Sequence, residues 1–221
     1  MKLYTNPALP RGKLLASAFI VICAALLQAC VPLIFAGVGA GALAAADRRS
    51  TGAYIEDESI ELKTADLIRR HFGTINHVNA TSYNRNVLLT GEVENEHVKA
   101  EVQRLASTVA NTRAVVNELV IGPPSAFSAR SNDTLITSNV KARFVNSKAF
   151  SANHVKVVTE AGIVFLLGIV TRDEGANAAE IASTSKGVRK VVRVFEYIGE
   201  TEAQALDSRD TTENNFPPEA P

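Results

Sequence analysis

Apolar residues follow two rhythms along this chain. From Leu14 to Leu27 they run almost unbroken, and beyond residue 55 they fall into helical spacing and strand-like runs. In that second part the pattern occurs twice. Val87-Leu88-Leu89-Thr90-Gly91-Glu92-Val93 returns as Val164-Phe165-Leu166-Leu167-Gly168-Ile169-Val170, a shift of 77, and His77-Val78 returns as His154-Val155. Leu105-Ala106-Ser107-Thr108 matches Ile181-Ala182-Ser183-Thr184, and Arg113 matches Arg189, at a shift of 76. One residue is therefore lost near Glu94. Each repeat predicts α-β-β-α-β: helices over 58–71 and 133–147, strands over 77–83 and 86–93 and over 154–160 and 163–170, helices over 95–110 and 172–186, then strands over 113–121 and 189–198. Residues 83–86 and 160–162 read as hairpin turns. Asn111 and Gly187, which best tolerate a left-handed backbone, mark the same helix stop in both units.

The expected fold class is α+β: two tandem αββαβ units, each a three-stranded antiparallel or mixed sheet with two helices on one face. The units span 55–122 and 132–199, joined by a Pro- and Ser-rich linker over 123–131. From Glu200 the chain carries six acids and one Arg, so 200–221 is expected to be a disordered acidic tail.

The first apolar run has a different meaning. Lys2, Arg11 and Lys13 precede it with no acid among them, and an almost wholly apolar run of 14 residues suits a secretory signal better than a membrane span. Leu27-Gln28-Ala29-Cys30 resembles the lipobox of bacterial lipoproteins. On that reading residues 1–29 are a lipoprotein signal peptide and Cys30 receives diacylglycerol and an N-acyl chain. Residues 30–54 then form an Ala- and Gly-rich linker. Three acyl chains exceed the two signals that stable anchoring needs. Val31 rather than Asp follows the cysteine, which in enteric bacteria implies export to the outer membrane. The alternative is an uncleaved membrane helix, because residues 31–46 prolong the apolar run.

Together these features resemble BON domains, and the lipobox narrows the resemblance to dual-BON outer-membrane lipoproteins. Ser131-Asn132-Asp133-Thr134, Asn153 to Val157 and Gly162 to Leu166 carry it most closely. The resemblance implies a non-enzymatic protein, lipid-anchored in the outer membrane and facing the periplasm, which supports membrane integrity and concentrates at the division septum. It further implies binding of anionic phospholipid through the second unit.

Helical geometry at about 100° per residue shows what the residues themselves support. In the first unit's leading helix, Ile60, Thr64, Leu67, Ile68 and His71 share one side, with Lys63, Asp66 and Arg70 opposite: a buried face with a solvated back. In the second unit Ile136, Val140, Phe144 and the stem of Arg143 form the core stripe. The opposite side carries Leu135, Ala142, Val145 and Ala149, flanked by Lys141 and Lys148, with Phe150 just beyond. Apolar residues beside lysines suit a membrane interface, where aliphatic side chains enter the acyl boundary and ammonium groups meet phosphates. Leu135 stands where relatives can carry an aromatic, a weaker interfacial anchor. Packing of this stripe against the first unit, or against a protein of envelope assembly or cell-wall remodelling, is the alternative.

Charge favours the second unit. The whole chain balances 23 basic against 23 acidic residues, which argues against nucleic acid as a partner. Residues 55–122 hold 7 basic and 10 acidic residues, a net −3; residues 132–199 hold 9 and 6, a net +3. No H-E-x-x-H, P-loop, nucleophile elbow or dinucleotide fingerprint occurs, so neither catalytic residues nor a cofactor beyond the acyl chains are expected. His77 and His154, equivalent positions at strand entry, read as structural rather than as metal ligands, and no metal site is expected. Arg189, Lys190 and Arg193 read as a solvated strand face.

Overall fold

The structure, a computed structural model, describes residues 47–73 and 77–213. The expected signal peptide, Cys30 and the linker up to Ala46 lie outside the described residues, as does the tail beyond Glu213. Among the described residues no helix is long and apolar enough to cross a membrane.

Both αββαβ units are present. The first comprises α1 (Thr51–Phe72), β1 (His77–Tyr83), β2 (Asn86–Val93), α2 (Glu96–Ser107), β3 (Ala114–Asn117) and β4 (Val120–Ile121). The second comprises α3 (Phe127–Asn146), a 3-10 turn (Ala152–His154), β5 (Val155–Glu160), β6 (Ile163–Val170), α4 (Arg172–Ser183) and β7 (Lys190–Tyr197). Another helix, α5 (Glu200–Glu213), follows. Each sheet is mixed. The central strand, β2 or β6, pairs antiparallel with the strand before it and parallel with the one after α2 or α4.

The lost residue is visible at the helix caps. Glu94-Asn95 separates β2 from α2, whereas Thr171 alone separates β6 from α4. Asn95 and Thr171 are the two N-caps, accepting from the backbone N–H of Val98 and of Glu174. The glycine of the repeated motif has a steric cause. A Cβ on Gly91 would stand 2.0 Å from the carbonyl oxygen of His77, and one on Gly168 2.4 Å from that of His154.

Each hairpin turn is held by a buried aspartate of the leading helix. Asp57 accepts from the N–H of Asn84 at 2.8 Å and of Arg85 at 2.7 Å. Asp133, its equivalent 76 residues on, accepts from the N–H of Ala161 at 2.9 Å and of Gly162 at 2.8 Å. All four donor residues have positive φ, the signature of a primed hairpin turn. Asn111 and Gly187 also have positive φ, as their shared position past α2 and α4 requires.

Four elements depart from the sequence expectations. Helix α1 begins at Thr51, capped by the Ser50 hydroxyl, two turns before residue 58. Helix α3 begins at Phe127, inside the expected linker: beyond Pro124 nothing breaks a helix, and Ser131 returns its hydroxyl to the Phe127 carbonyl instead of competing for the chain. The strand expected over 113–121 is split, because the Asn117 side chain accepts the Leu119 N–H. The tail expected to be disordered is helical over Glu200–Glu213. Glu200 and Glu202 fall in its first turn, where they complement the helix dipole, while Ala203 is buried and Leu206 half-buried.

Among the described residues three apolar clusters hold the structure. In the first unit Val87, Leu89 and Val93 meet the helix residues Ile60, Ile68 and Val102. In the second, Val164, Leu166 and Val170 meet Ile136, Val140 and Phe144. The third cluster joins the units: Leu88 of β2 meets Phe165, Leu167 and Ile169 of β6, with Tyr83 alongside. The central strands are thus buried on both faces, which explains why β6 is continuously apolar. Polar links reinforce the junction. Lys156 reaches Glu61 at 2.7 Å, and Asn84 reaches Glu196 at 2.8 Å.

Candidate membrane-facing site

Helix α3 lies against its own sheet through Ile136, Val140 and Phe144, all buried. Arg143 fixes its last turn, donating to the Ile181 carbonyl and to the Ser185 hydroxyl, each at 2.7 Å. The side away from the core is open. Leu135 is 69% exposed and Val145 72% exposed, and Lys141, Ala142, Lys148 and Ala149 are exposed as well. The first unit does not bury this stripe, although Lys141 and Val145 border a cleft whose other wall includes Asp57, Glu58 and Glu61 of α1; the units meet chiefly through their sheets.

Phe150 does not belong to the stripe. It is only 8% exposed and packs edge-on against Phe144, ring centroids 5.1 Å apart. The chain turns back after Asn146, and the aromatic side chain closes the end of the second core. In its place the structure offers Phe127, 79% exposed. At about 100° per residue, Phe127, Leu135, Ala142 and Val145 fall within an arc of about 80°. Its spacing from Leu135 and Val145 was the available signal, hidden because residues 123–131 read as linker.

Helix α1 also exposes apolar side chains, Tyr54, Ile55 and Leu62. Its charges differ from those of α3. Helix α1 holds five acids and three basic residues, whereas α3 holds one acid, the buried Asp133, and Arg130, Lys141 and Arg143. Of the two leading helices, only α3 combines an exposed apolar stripe with a cationic margin. In α1, Ile60, Thr64 and Ile68 are buried as expected, and His71 is exposed rather than facing the core.

A second charged centre lies at the end of β6. Arg48 is buried and donates to Glu174 at 2.6 Å, to Asp207 of α5 at 2.8 Å and to the Ile169 carbonyl at 3.0 Å. Its hydrogen bonds and charge hold the Asp207 carboxyl below its ordinary range, against the opposing effect of burial. Burial pushes Glu174 upward, but Arg48 outweighs it and Glu174 is also lowered. His154 sits beside both acids, 3.4 Å from Glu174 and 3.6 Å from Asp207. Neighbouring Arg49 pairs with Asp47 and Asp57 and lies 4.0 Å over the Tyr83 ring. Arg48 and Arg49 thus fasten the start of the described chain to the second and first units respectively.

The BON domain family model matches residues 56–123 and 132–199. The chain is 40% identical over 174 residues to the Outer membrane lipoprotein DolP of Haemophilus influenzae, covering 78% of this chain and 90% of that protein. The chain is a dual BON-domain protein of the DolP family. It is also 30% identical to the 21 kDa hemolysin of Actinobacillus pleuropneumoniae, over 69% of this chain and 79% of that one. Among solved structures, the type III secretion protein CdsD of Chlamydia trachomatis is 14% identical, covers 71% of this chain and 98% of its own, and has a TM-score of 0.27, too low to carry an argument. In this chain the buried Asp57 and Asp133 hold each unit's hairpin, Gly91 and Gly168 lie in its central strand, and the α3 stripe is exposed among the described residues.

Proposed function

We propose that this chain is a non-enzymatic outer-membrane lipoprotein, acylated on Cys30 and facing the periplasm, whose second BON domain reads anionic phospholipid. The outer-membrane placement draws on the name of its 40% identical relative and on the lipobox that ends at Cys30. The observation that carries the lipid reading is the uncovered apolar stripe of α3 beside Lys141 and Lys148. Phe127, Leu135, Ala142, Val145 and Ala149 enter the acyl boundary, and the two lysines meet phosphates. Phe127 supplies the aromatic that Leu135 lacks, and aromatic rings favour the interface.

The energies suit a tethered reader. A basic residue near an anionic surface contributes about 1 kcal/mol, and a fully buried aliphatic or aromatic side chain about 1.5–3 kcal/mol. Partial insertion gives weak, reversible contact, sufficient once the acyl chains have already placed the domain at the membrane. Regions richer in anionic lipid, such as a division septum, then concentrate the protein, and its packing there supports membrane integrity. The first domain, whose exposed Tyr54, Ile55 and Leu62 are bordered by acids that anionic lipid repels, is left to face protein partners of envelope assembly or wall remodelling.

Charge reversal of Lys141 and Lys148 to Glu tests the reading. Membrane fractionation should be unchanged, because acylation is untouched, while septal enrichment of a fluorescent fusion should disappear. Undiminished enrichment would remove the lipid role of these lysines.

A further inference from the structure

One polar cluster at the junction of the two domains has no place in lipid binding. His77 and Glu92 face each other across the β1–β2 ladder, His77 Nδ1 standing 2.8 Å from Glu92 Oε2. Glu160, the last residue of β5, comes up from the second domain. One ring nitrogen of His77 and one oxygen from each glutamate lie within 4.8 Å of one another. Both glutamates are buried, Glu92 at 6% and Glu160 at 8% exposed.

Two buried carboxylates stand beside a single imidazole. Arg130 and Lys141 line the cleft outside, yet among the described residues neither makes an ion pair with Glu92 or Glu160. Packing alone would not select this arrangement. The repeat equivalent of Glu92 is Ile169, an apolar member of the cluster between the sheets. Where this position serves only to pack, the chain uses isoleucine.

We propose that His77, Glu92 and Glu160 form a zinc-type divalent-cation site that clasps the first BON domain to the second. An imidazole with two carboxylates is a donor set that Zn²⁺ accepts, with water completing the tetrahedron. Tetrahedral ligands at zinc distances lie about 3.3 Å apart, so donor atoms that now lie within 4.8 Å of one another must draw in by up to about 1.5 Å. Outer support is in place. The Asn79 amide donates to Glu160 at 3.0 Å, and the Ser125 N–H donates to Glu92 at 3.2 Å. Among the described residues the Ser125 hydroxyl is itself buried with no partner. A cleft of about 520 Å³, lined by His77, Asn79, Asp133 and Glu160, gives a path of entry.

The test uses the full chain, purified in detergent without a histidine tag and stripped with chelator. Calorimetric titration with ZnCl₂ should show about one equivalent bound. Affinity should fall at least tenfold, on the order expected for losing a ligand or its support, in His77→Gln, Glu92→Gln and Glu160→Gln. The exposed-histidine control His97→Gln should bind as wild type. Far-ultraviolet circular dichroism checks that each variant is folded, and Co²⁺ added to the wild type gives a readout that needs no variant, a visible absorption band displaced by Zn²⁺. Absence of Zn²⁺ binding by the wild type, or equal binding by folded His77→Gln and Glu160→Gln, would overturn the proposal. Neither result bears on the α3 lipid face.

Discussion

Replacing Asp133 with Ala removes the acceptor for two backbone donors of the second hairpin, and the two are not equivalent. The bond to Gly162 N–H, at 2.8 Å, is buried, whereas the one to Ala161, at 2.9 Å, is partly exposed. Water can replace the aspartate at Ala161 but not readily at Gly162. A hydrogen bond to a charged group contributes about 1.5–3 kcal/mol, and an abandoned buried donor costs about 1–3 kcal/mol. With Ala161 contributing roughly 1 kcal/mol after resolvation, the loss should total about 3–4 kcal/mol. Asp133→Asn keeps one acceptor oxygen and should lose about half as much. Urea unfolding of the folded region measures both, and hydrogen exchange at the Gly162 amide shows whether the loss is local. A change below about 1 kcal/mol for Asp133→Ala, with unaltered protection at Gly162, would refute the claim that this carboxylate holds the turn.

Other perturbations have equally definite outcomes. Gly91→Ala and Gly168→Ala drive a Cβ into a strand carbonyl and should each cost about 2–3 kcal/mol or more, whereas Gly122→Ala, with open space around it, should stay within about 0.5 kcal/mol in the same denaturation assay. Phe150→Ala should destabilise the second domain by about 3 kcal/mol, because its ring fills the core, while Leu135→Ala should change stability by no more than about 0.5 kcal/mol. Arg48→Ala leaves Glu174 and Asp207 without their cation and should cost about 2–4 kcal/mol near neutral pH. Both carboxyls are lowered in the folded state, so their contribution is complete above the ordinary carboxylate range and disappears as pH falls through their folded values. The gap in melting temperature between wild type and Arg48→Ala should therefore hold from about pH 5 to 8 and narrow below about pH 4; an equal gap at pH 3 would contradict the pairing.

The repeat made most of the architecture legible. Apolar runs centred on Gly91 and Gly168 located both central strands, and the single-residue offset pointed to the turn near Glu94, where the structure shows the two N-caps to differ. Less was readable where one residue answers to distant parts of the chain. Phe150 looks like a surface extension of α3 in sequence, and only the return of the chain after Asn146 turns it inward. Phe127 was masked by the prolines just before it, although its spacing matches Leu135 and Val145. Asp57 and Asp133 are related by the same shift as the later blocks, but their reach to a hairpin some 28 residues on belongs to tertiary structure. Acidic composition suggested disorder from Glu200 onward, whereas Ala203, Leu206 and Asp207 dock a helix there.

The central claim is that α3 of the second domain reads anionic lipid through its outward face. Flotation of a fragment spanning residues 47–221, which lacks Cys30, the proposed acylation site, with vesicles containing or lacking phosphatidylglycerol tests it most directly. Wild type should float with the anionic vesicles alone, and Phe127→Glu, Leu135→Glu and Val145→Glu should remain at the bottom while keeping the wild-type melting temperature, because all three side chains are exposed. Flotation of those variants to the wild-type extent, or no flotation of the wild type with either vesicle, would contradict the account and leave the acyl chains as the protein's hold on its membrane.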